Sequence, residues 1–393
     1  MSKNKNSKQE TAQKSLAEYI IIALIFLAMA LMLVTFNNRE FSYKQYNTSS
    51  KEYVRAKVIS INEEELADAG EFIKGYQSAD VEIKQGKAKG RVVQVENIVT
   101  SGHNVILKKG ARIIVEADMP ETLSPEDYRF NVYNYDRSFS TFAMVILFLA
   151  VVVVVGGKKG FMSCLGLGFT LCTVVCLLLP SVFEGGNAIA LSVITIILST
   201  VVSCFCIGGL TKKTGLNIIS TICGTLTAAV VYYLFMRFLG ISGASLEEVE
   251  SLELISYYTG LNISGVLIAS VLVSSLGAVM DVAVSMCASL YEIRSVNPKI
   301  TPKELFRSGM NIGKDMIGTM TNTLILAFAG SALAPMLLFI AIGTQFHQLI
   351  SSNFLALEIA SGISGSMAVV LTVPISAAIC SFLGNKNKNK NKK

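Results

Sequence analysis

The chain reads as a polytopic α-helical membrane protein with about eight transmembrane helices and one small all-β, OB-like extracytoplasmic domain. Three observations predict this class. Of 393 residues 52% are hydrophobic and only 16% charged, against roughly 25% charged in a soluble domain. Uncharged windows near the length that crosses a bilayer, about 20 residues, recur along the chain. One polar island, 37–138, interrupts them.

The windows place spans at 19–36, 139–157, 161–180, 188–210, 215–237, 264–290, 320–343 and 362–383. Residues 1–18 form a Lys-bearing cytoplasmic tail. Span 19–36 mimics a signal peptide, with Ala28-Met29-Ala30 as a cleavage-like triplet, but Leu31-Met32-Leu33-Val34 continue the apolar run, so it reads as a retained anchor. In 37–138, alternation over 53–61, 79–83, 91–98 and 111–115 is divided by Gln85-Gly86, Lys89-Gly90, Ser101-Gly102 and Lys109-Gly110, which predicts short strands joined by turns. Residues 139–384 make a seven-helix domain. Within it Thr301-Pro302-Lys303-Glu304 is a capping box with Pro at the first helical position, so a helix near 302–316 is expected to lie on the inner surface. The tail 385–393 is basic and expected to be disordered; beside a span such lysines anchor topology at an anionic leaflet, rather than bind nucleic acid.

Lys and Arg are retained on the cytoplasmic side. Lys158, Lys159, Lys212, Lys213, Arg294, Lys299, Lys303 and Arg307 all fall inside if both termini are cytoplasmic, while loops 181–187, 242–262 and 344–361 have no Lys or Arg. The second of these loops carries Glu247, Glu248, Glu250 and Glu253. Arg237, at the outer end of its span, departs from the rule and has a stem long enough to snorkel. All eight cysteines lie in spans, so no disulfide framework holds the outer domain, and Cys204-x-Cys206 lacks the further ligands of a metal site. His103 and His347 stand singly, and no cofactor or metal motif is present.

The chemistry is expected where polar groups enter the spans. Asp281 costs at least ~2.5 kcal/mol deep in a span, and Gly277, Asp281, Ser285 and Glu292 share one helical face expected to point into the bundle. Asn311, Asp315, Thr319 and Asn322 share another, with Lys314, Thr321 and Thr323 adjacent. Asp281 is expected to face Thr319 and Asn322 at similar depth. Such oxygens suit a proton, a cation or a small polar solute. The bland alternatives are a carboxylate that pins two helices together and a Lys314–Asp315 surface pair. Pro180 and Pro374 read as kinks.

The segment from Gly277 to Met286, the segment Ser308 to Ala327, Gly156-Gly157-Lys158-Lys159-Gly160, Leu179-Pro180 and Val373-Pro374 together resemble the YibE/F family of bacterial membrane proteins. Lys89-Gly90, Val95-Glu96-Asn97 and Tyr135-Asp136-Arg137 extend the resemblance to the longer, YibE-like form. The resemblance implies a bacterial cytoplasmic membrane protein of a kind treated as a transporter or permease, and its matched residues include Asp281, Ser285, Asp315, Thr319, Asn322 and Thr323. The expected function is a permease or channel-like transporter of a small ion or polar solute, with proton coupling through Asp281 as one form. The alternative is a membrane scaffold or signalling component that assembles with a YibF-like paralogous subunit or a second copy through Gly309-x3-Gly313 and Gly362-x2-Gly365. An intramembrane aspartyl protease using Asp281 and Asp315 is disfavoured, because Gly313-Lys314-Asp315 lacks the second glycine and straight helices would separate the two carboxyls by roughly 10 Å in depth.

Overall fold

A computed structural model describes residues 2–41, 43, 51–70, 72–119, 128–246 and 249–383. The tail 385–393, Glu247 and Glu248 lie outside the described residues. The chain divides into two compact units, Lys44–Val151 and Met1–Tyr43 with Val152–Lys393.

In the first unit β1 (Lys51–Ala69), β2 (Phe72–Ile83), β3 (Val92–Val99), β4 (Arg112–Asp118) and β5 (Arg129–Tyr135) close a barrel in the order β1-β2-β3-β5-β4. Strand β1 is long enough to serve two neighbours: Lys51 to Lys57 pair with β4, and Ala56 to Ala69 pair with β2. Alternation puts Val54, Ala56 and Val58 of β1 in the core beside Val81, Val95, Ile113 and Val115. The turns anticipated at Gly86, Gly90 and Gly110 hold those glycines at positive φ. The sequence pattern did not reveal β5 or the far half of β1, where Glu63, Glu64 and Glu65 break the apolar alternation.

Between β3 and β4 the chain has no strand, yet Val105 and Leu107 are buried. Two amides fasten that segment. Asn97 donates to the Val105 carbonyl (2.6 Å), and Gln77 accepts from the Leu107 N–H (2.8 Å) while donating to its carbonyl (3.2 Å) and to Glu64 (2.7 Å). Asn97 and Gln77 are also bonded to each other (3.2 Å). Buried backbone groups outside a ladder need such partners. After β5, Asp136 accepts from the Ser138 N–H (3.1 Å) and pairs with Arg55 (3.4 Å).

Helix α1 (Ser2–Asn37) is followed, after the barrel, by α2 (Ser138–Thr173), α3 (Leu179–Phe183), α4 (Ala188–Gly208), α5 (Lys212–Leu239), α6 (Val249–Thr259), α7 (Ile263–Val296), α8 (Pro302–Ser331), α9 (Leu333–Ala341), α10 (Phe346–Ile350) and α11 (Asn353–Phe382). Helix α1 already begins at Ser2, so the residues before the expected span 19–36 continue its helix. Helix α2 is broken at Gly157, whose φ of 56° suits glycine, and the chain folds back so sharply that a Cβ on Gly160 would lie 2.3 Å from the Val152 carbonyl. The expected spans 139–157 and 161–180 are thus the two arms of one helical stretch, Ser138–Phe183. A π-turn, Val174–Leu178, precedes Pro180; widening the turn accommodates a ring that cannot donate to the ladder.

Side chains cap the helices that follow. Asn187, Thr211, Asn262 and Ser352 accept from the N–H three residues on, and Thr301 with Glu304 forms the anticipated box. The helix anticipated near 302–316 is not separate from the one expected at 320–343: α8 runs unbroken to Ser331 and bends by 49° into α9. Its first turns bury Leu305, Gly309 and Gly313, and this packing draws them onto the bundle.

Helices α5, α7 and α11 pack on one another, α4 packs on α5 and α7, and α8 packs on α11 and α7. Their shared core includes Leu272, Val279, Met286, Val369, Val373 and Ala377. Helix α1 joins through Ile25, beside Leu165 and Phe169. At one end of this unit Arg39 pairs with Glu184 (3.0 Å) and Tyr43 stacks on Tyr258; near the other, Arg294 donates to the Ser381 carbonyl (3.0 Å). Among the described residues six helices are long and apolar enough to cross a membrane, or seven with α8 and α9 taken as one, by length and composition.

Two outcomes are expected for the barrel. Asn97→Ala strands the Val105 carbonyl and should lower stability by about 1–3 kcal/mol, read by thermal unfolding; an unchanged midpoint would mean the amide network is dispensable. The Asp136 carboxyl is held below the usual carboxylate range by the Ser138 hydroxyl and N–H, against its burial, with Arg55 and Arg112 adding to the effect. Its stabilisation is therefore complete above an unfolded value of about 4 and lost as pH falls through the lower folded value. Asp136→Asn should flatten that acid-side slope.

Candidate functional site

Helix α7 is continuous through its polar stripe, so Gly277, Asp281 and Ser285 share a face, and that face is exposed. The opposite face buries Val279, Val282, Ala283 and Met286. The stripe was expected inside the bundle; instead the apolar residues take the interior and Asp281, Ser285 and Glu292 stay outside. Among the described residues Asp281 makes no hydrogen bond or ion pair.

On α8 the arrangement repeats. Asn311, Lys314, Asp315, Thr319, Asn322 and Thr323 are exposed, while Leu305, Gly309 and Gly313 are buried. Thr319 donates to the Met316 carbonyl (3.2 Å) and Thr323 to the Thr319 carbonyl (2.9 Å), so these hydroxyls serve their own helix. Gly309 lies against Leu290, and Gly365 lies against both Leu324 and Ser275. Antiparallel helices held by those contacts put Asp281 level with the turn at Gly318 and Thr319. The two stripes share a depth, but no hydrogen bond joins Asp281 to Thr319, Asn322 or Asp315. The glycines expected to meet a partner subunit are filled from within: Gly309 by Leu290 and Ala377, Gly313 by Val373, Gly362 by Phe328 and Gly365 by Leu324.

A set of polar residues that sequence reading passed over lies inside the bundle. Ser192, Thr195, Ser199 and Ser203 mark one face of α4; Thr214, Asn217, Thr221 and Thr225 mark one face of α5 at the same spacing. Ser364, Thr372, Ser376 and Ser381 of α11 are also buried. Ser192, Thr225 and Thr372 return their hydroxyls to carbonyls four residues back at 2.6–2.9 Å. Among the described residues Thr195, Ser199, Asn217, Thr221, Ser364 and Ser376 each keep a buried oxygen with no hydrogen-bond partner. Such oxygens are what ordered water or a hydrated solute satisfies. The signal was legible as hydroxyl residues at i, i+3, i+7 and i+11, but scanning for charge hides it. Gly224 lets α5 and α11 approach closely, since a Cβ there would lie 2.2 Å from the Thr372 hydroxyl.

The eight cysteines are free, and among the described residues no group of three His, Cys, Asp or Glu side chains could hold a metal ion.

Residues 144–386 match the family model described as YibE/F-like protein. The chain belongs to the YibE/F-like family. No curated protein matches the chain. No solved structure matches it either. The YibE/F-like region contains both exposed stripes and the whole hydroxyl seam, and it leaves out the barrel.

The exposed stripe and the packed glycines should respond differently to mutation. Asp281→Asn, which breaks no bond, should move stability by no more than about 0.5 kcal/mol. Gly313→Leu, whose Cβ would sit 2.1 Å from a Val373 methyl, should cost about 1–3 kcal/mol. Thermal unfolding in detergent checks both; equal losses would mean that Asp281 is a structural residue.

Proposed function

We propose that this YibE/F-like protein is a multi-pass protein of the bacterial cytoplasmic membrane that passes a small ion or polar solute. The observation that carries the reading is the set of buried oxygens on α4, α5 and α11 that have no hydrogen-bond partner among the described residues. In a bilayer such groups have no water to fall back on, so a seam of them suits hydrated traffic. Taking the two arms of α2 separately, and α8 with α9 as one, gives eight spans. The Lys and Arg pattern then puts both termini in the cytoplasm and 37–138 outside. The outer barrel is of OB type, since β1 closes against β4 and β3 meets β5 in parallel at Glu96 and Asn131.

Asp281, Ser285, Asp315, Thr319, Asn322 and Thr323 belong to this reading as a second polar surface. A carboxylate turned to lipid is expensive, so a second copy or a YibF-like subunit would cover the stripes and complete the path. The same exposure favours the second reading, a scaffold or signalling assembly whose polar faces exist for subunit contact. Neither reading makes the chain an enzyme.

Reconstituted proteoliposomes tested against a panel of ions and small polar solutes should show flux above empty vesicles. Asn217→Ala and Asp281→Asn should each lower it about tenfold, the equivalent of ~1.4 kcal/mol on a barrier. No flux under any gradient would sink the permease. If Asp281→Asn still rescues a deletion strain while removal of 41–135 does not, the scaffold is favoured.

A further inference from the structure

We propose that a cleft in the barrel unit, at the first turn of α2, binds the phosphate group of an anionic amphiphile. The cleft encloses about 690 Å³ and is lined by Arg55, Lys57, Lys84, Arg112, Asp136 and the helix residues Phe139 and Phe142, among others. All belong to Lys44–Val151.

Strand register assembles the cations. Arg55 and Lys57 alternate with buried Val54, Ala56 and Val58, so both point out of the core. Arg112 stands opposite Lys57 across the β1–β4 ladder, a like-charge pairing that is unfavourable by itself. Lys84 is drawn in by its N–H, which donates to the Arg55 carbonyl (2.7 Å). The nearby carboxylates are already engaged: Asp136 by Arg55 and Ser138, and Glu82, which faces Lys57 from β2, by Lys84. Among the described residues Lys57 and Arg112 make no ion pair. Four cations against two carboxylates leave two positive charges at the cleft, a match for a phosphate ester.

The other wall selects an amphiphile. Phe139 and Phe142 are 77% and 68% exposed and begin the apolar arm of α2, so an anionic head seated on Lys57 and Arg112 would lay its apolar part along that helix. This part rests on the reading of α2 as membrane-spanning; the phosphate contacts do not. A single-stranded nucleic acid would want a charged track with interleaved aromatics, whereas beyond Phe142 the helix continues as Ala143 to Val155 with no charge.

The test uses the full-length protein in neutral detergent and calorimetric titration with four probes: short-chain phosphatidylglycerol, short-chain phosphatidylcholine, glycerol phosphate and a thymidine oligonucleotide. Saturable binding of phosphatidylglycerol is expected, well above phosphatidylcholine. Lys57→Gln with Arg112→Gln should weaken it about tenfold, and Asp136→Asn, which frees Arg55, should tighten it roughly threefold. Phe139→Ala with Phe142→Ala should weaken the lipid and leave glycerol phosphate unchanged. Glycerol phosphate binding as tightly as the lipid would keep the phosphate site but assign it to a free anion. Equal binding of the two lipids, indifference to the Lys57 and Arg112 changes with the melting point intact, or preference for the oligonucleotide would overturn the proposal. Recovery of the protein only in the soluble cell fraction would overturn the membrane reading alone, because glycerol phosphate binding stays measurable.

Discussion

The organising constraint is the satisfaction of polar groups where water is scarce. A backbone in an apolar medium must bond to itself, which selects long helices, and each helix start then needs a partner for its first N–H groups. Asn187, Thr211, Asn262, Thr301 and Ser352 fill that role. Side-chain hydroxyls meet the same requirement by turning back to their own carbonyls, as Ser192 and Thr372 do. Against this background the unpartnered oxygens of Thr195, Ser199, Asn217 and Thr221 are exceptions, and their regular spacing on two helices sets them apart from scattered packing contacts.

Close backbone approach is the second device. Gly224, Gly309 and Gly313 let Thr372, Leu290, Ala377 and Val373 sit against neighbouring helix backbones. Small residues do this where no hydrophobic force separates protein from lipid. Since these glycines are filled from within the chain, they are not open to a second subunit. The exposed stripes on α7 and α8 are the surfaces with a physical reason to be covered.

Much of the helical architecture was legible because it follows from local rules. Uncharged length located the long apolar helices, the Thr301–Glu304 box located the start of α8, and turn glycines divided the strands. The rest depended on tertiary packing. That α8 would continue past Met316 is decided by where Gly309 and Gly313 dock. Periodicity placed Asp281 on a face but could not say which face the bundle would bury; the apolar residues of α7 outnumber its polar ones and took the interior. Strand β5 was hidden because Val132 is its one buried residue, which leaves no apolar alternation to read, and the β3–β4 connection because amide side chains, not a ladder, hold it.

The barrel shows how charge and register combine. In a small barrel alternate residues must point inward, so a cation at position 55 obliges the next outward position, 57, to lie on the same side, and the antiparallel ladder then fixes what stands across from it. With Val54, Ala56 and Val58 committed to the core, Arg55 and Lys57 cannot turn away from the side of β1 on which Arg112 pairs. Arg55 is relieved by Asp136, and Asp136 is in turn held by the first residue of α2. The ion pair therefore ties the barrel to the helix start, and it leaves Lys57 and Arg112 opposite each other, neither in an ion pair among the described residues. An arrangement that fold geometry enforces but the protein's own acids do not neutralise is best understood as made for an anion from outside the chain.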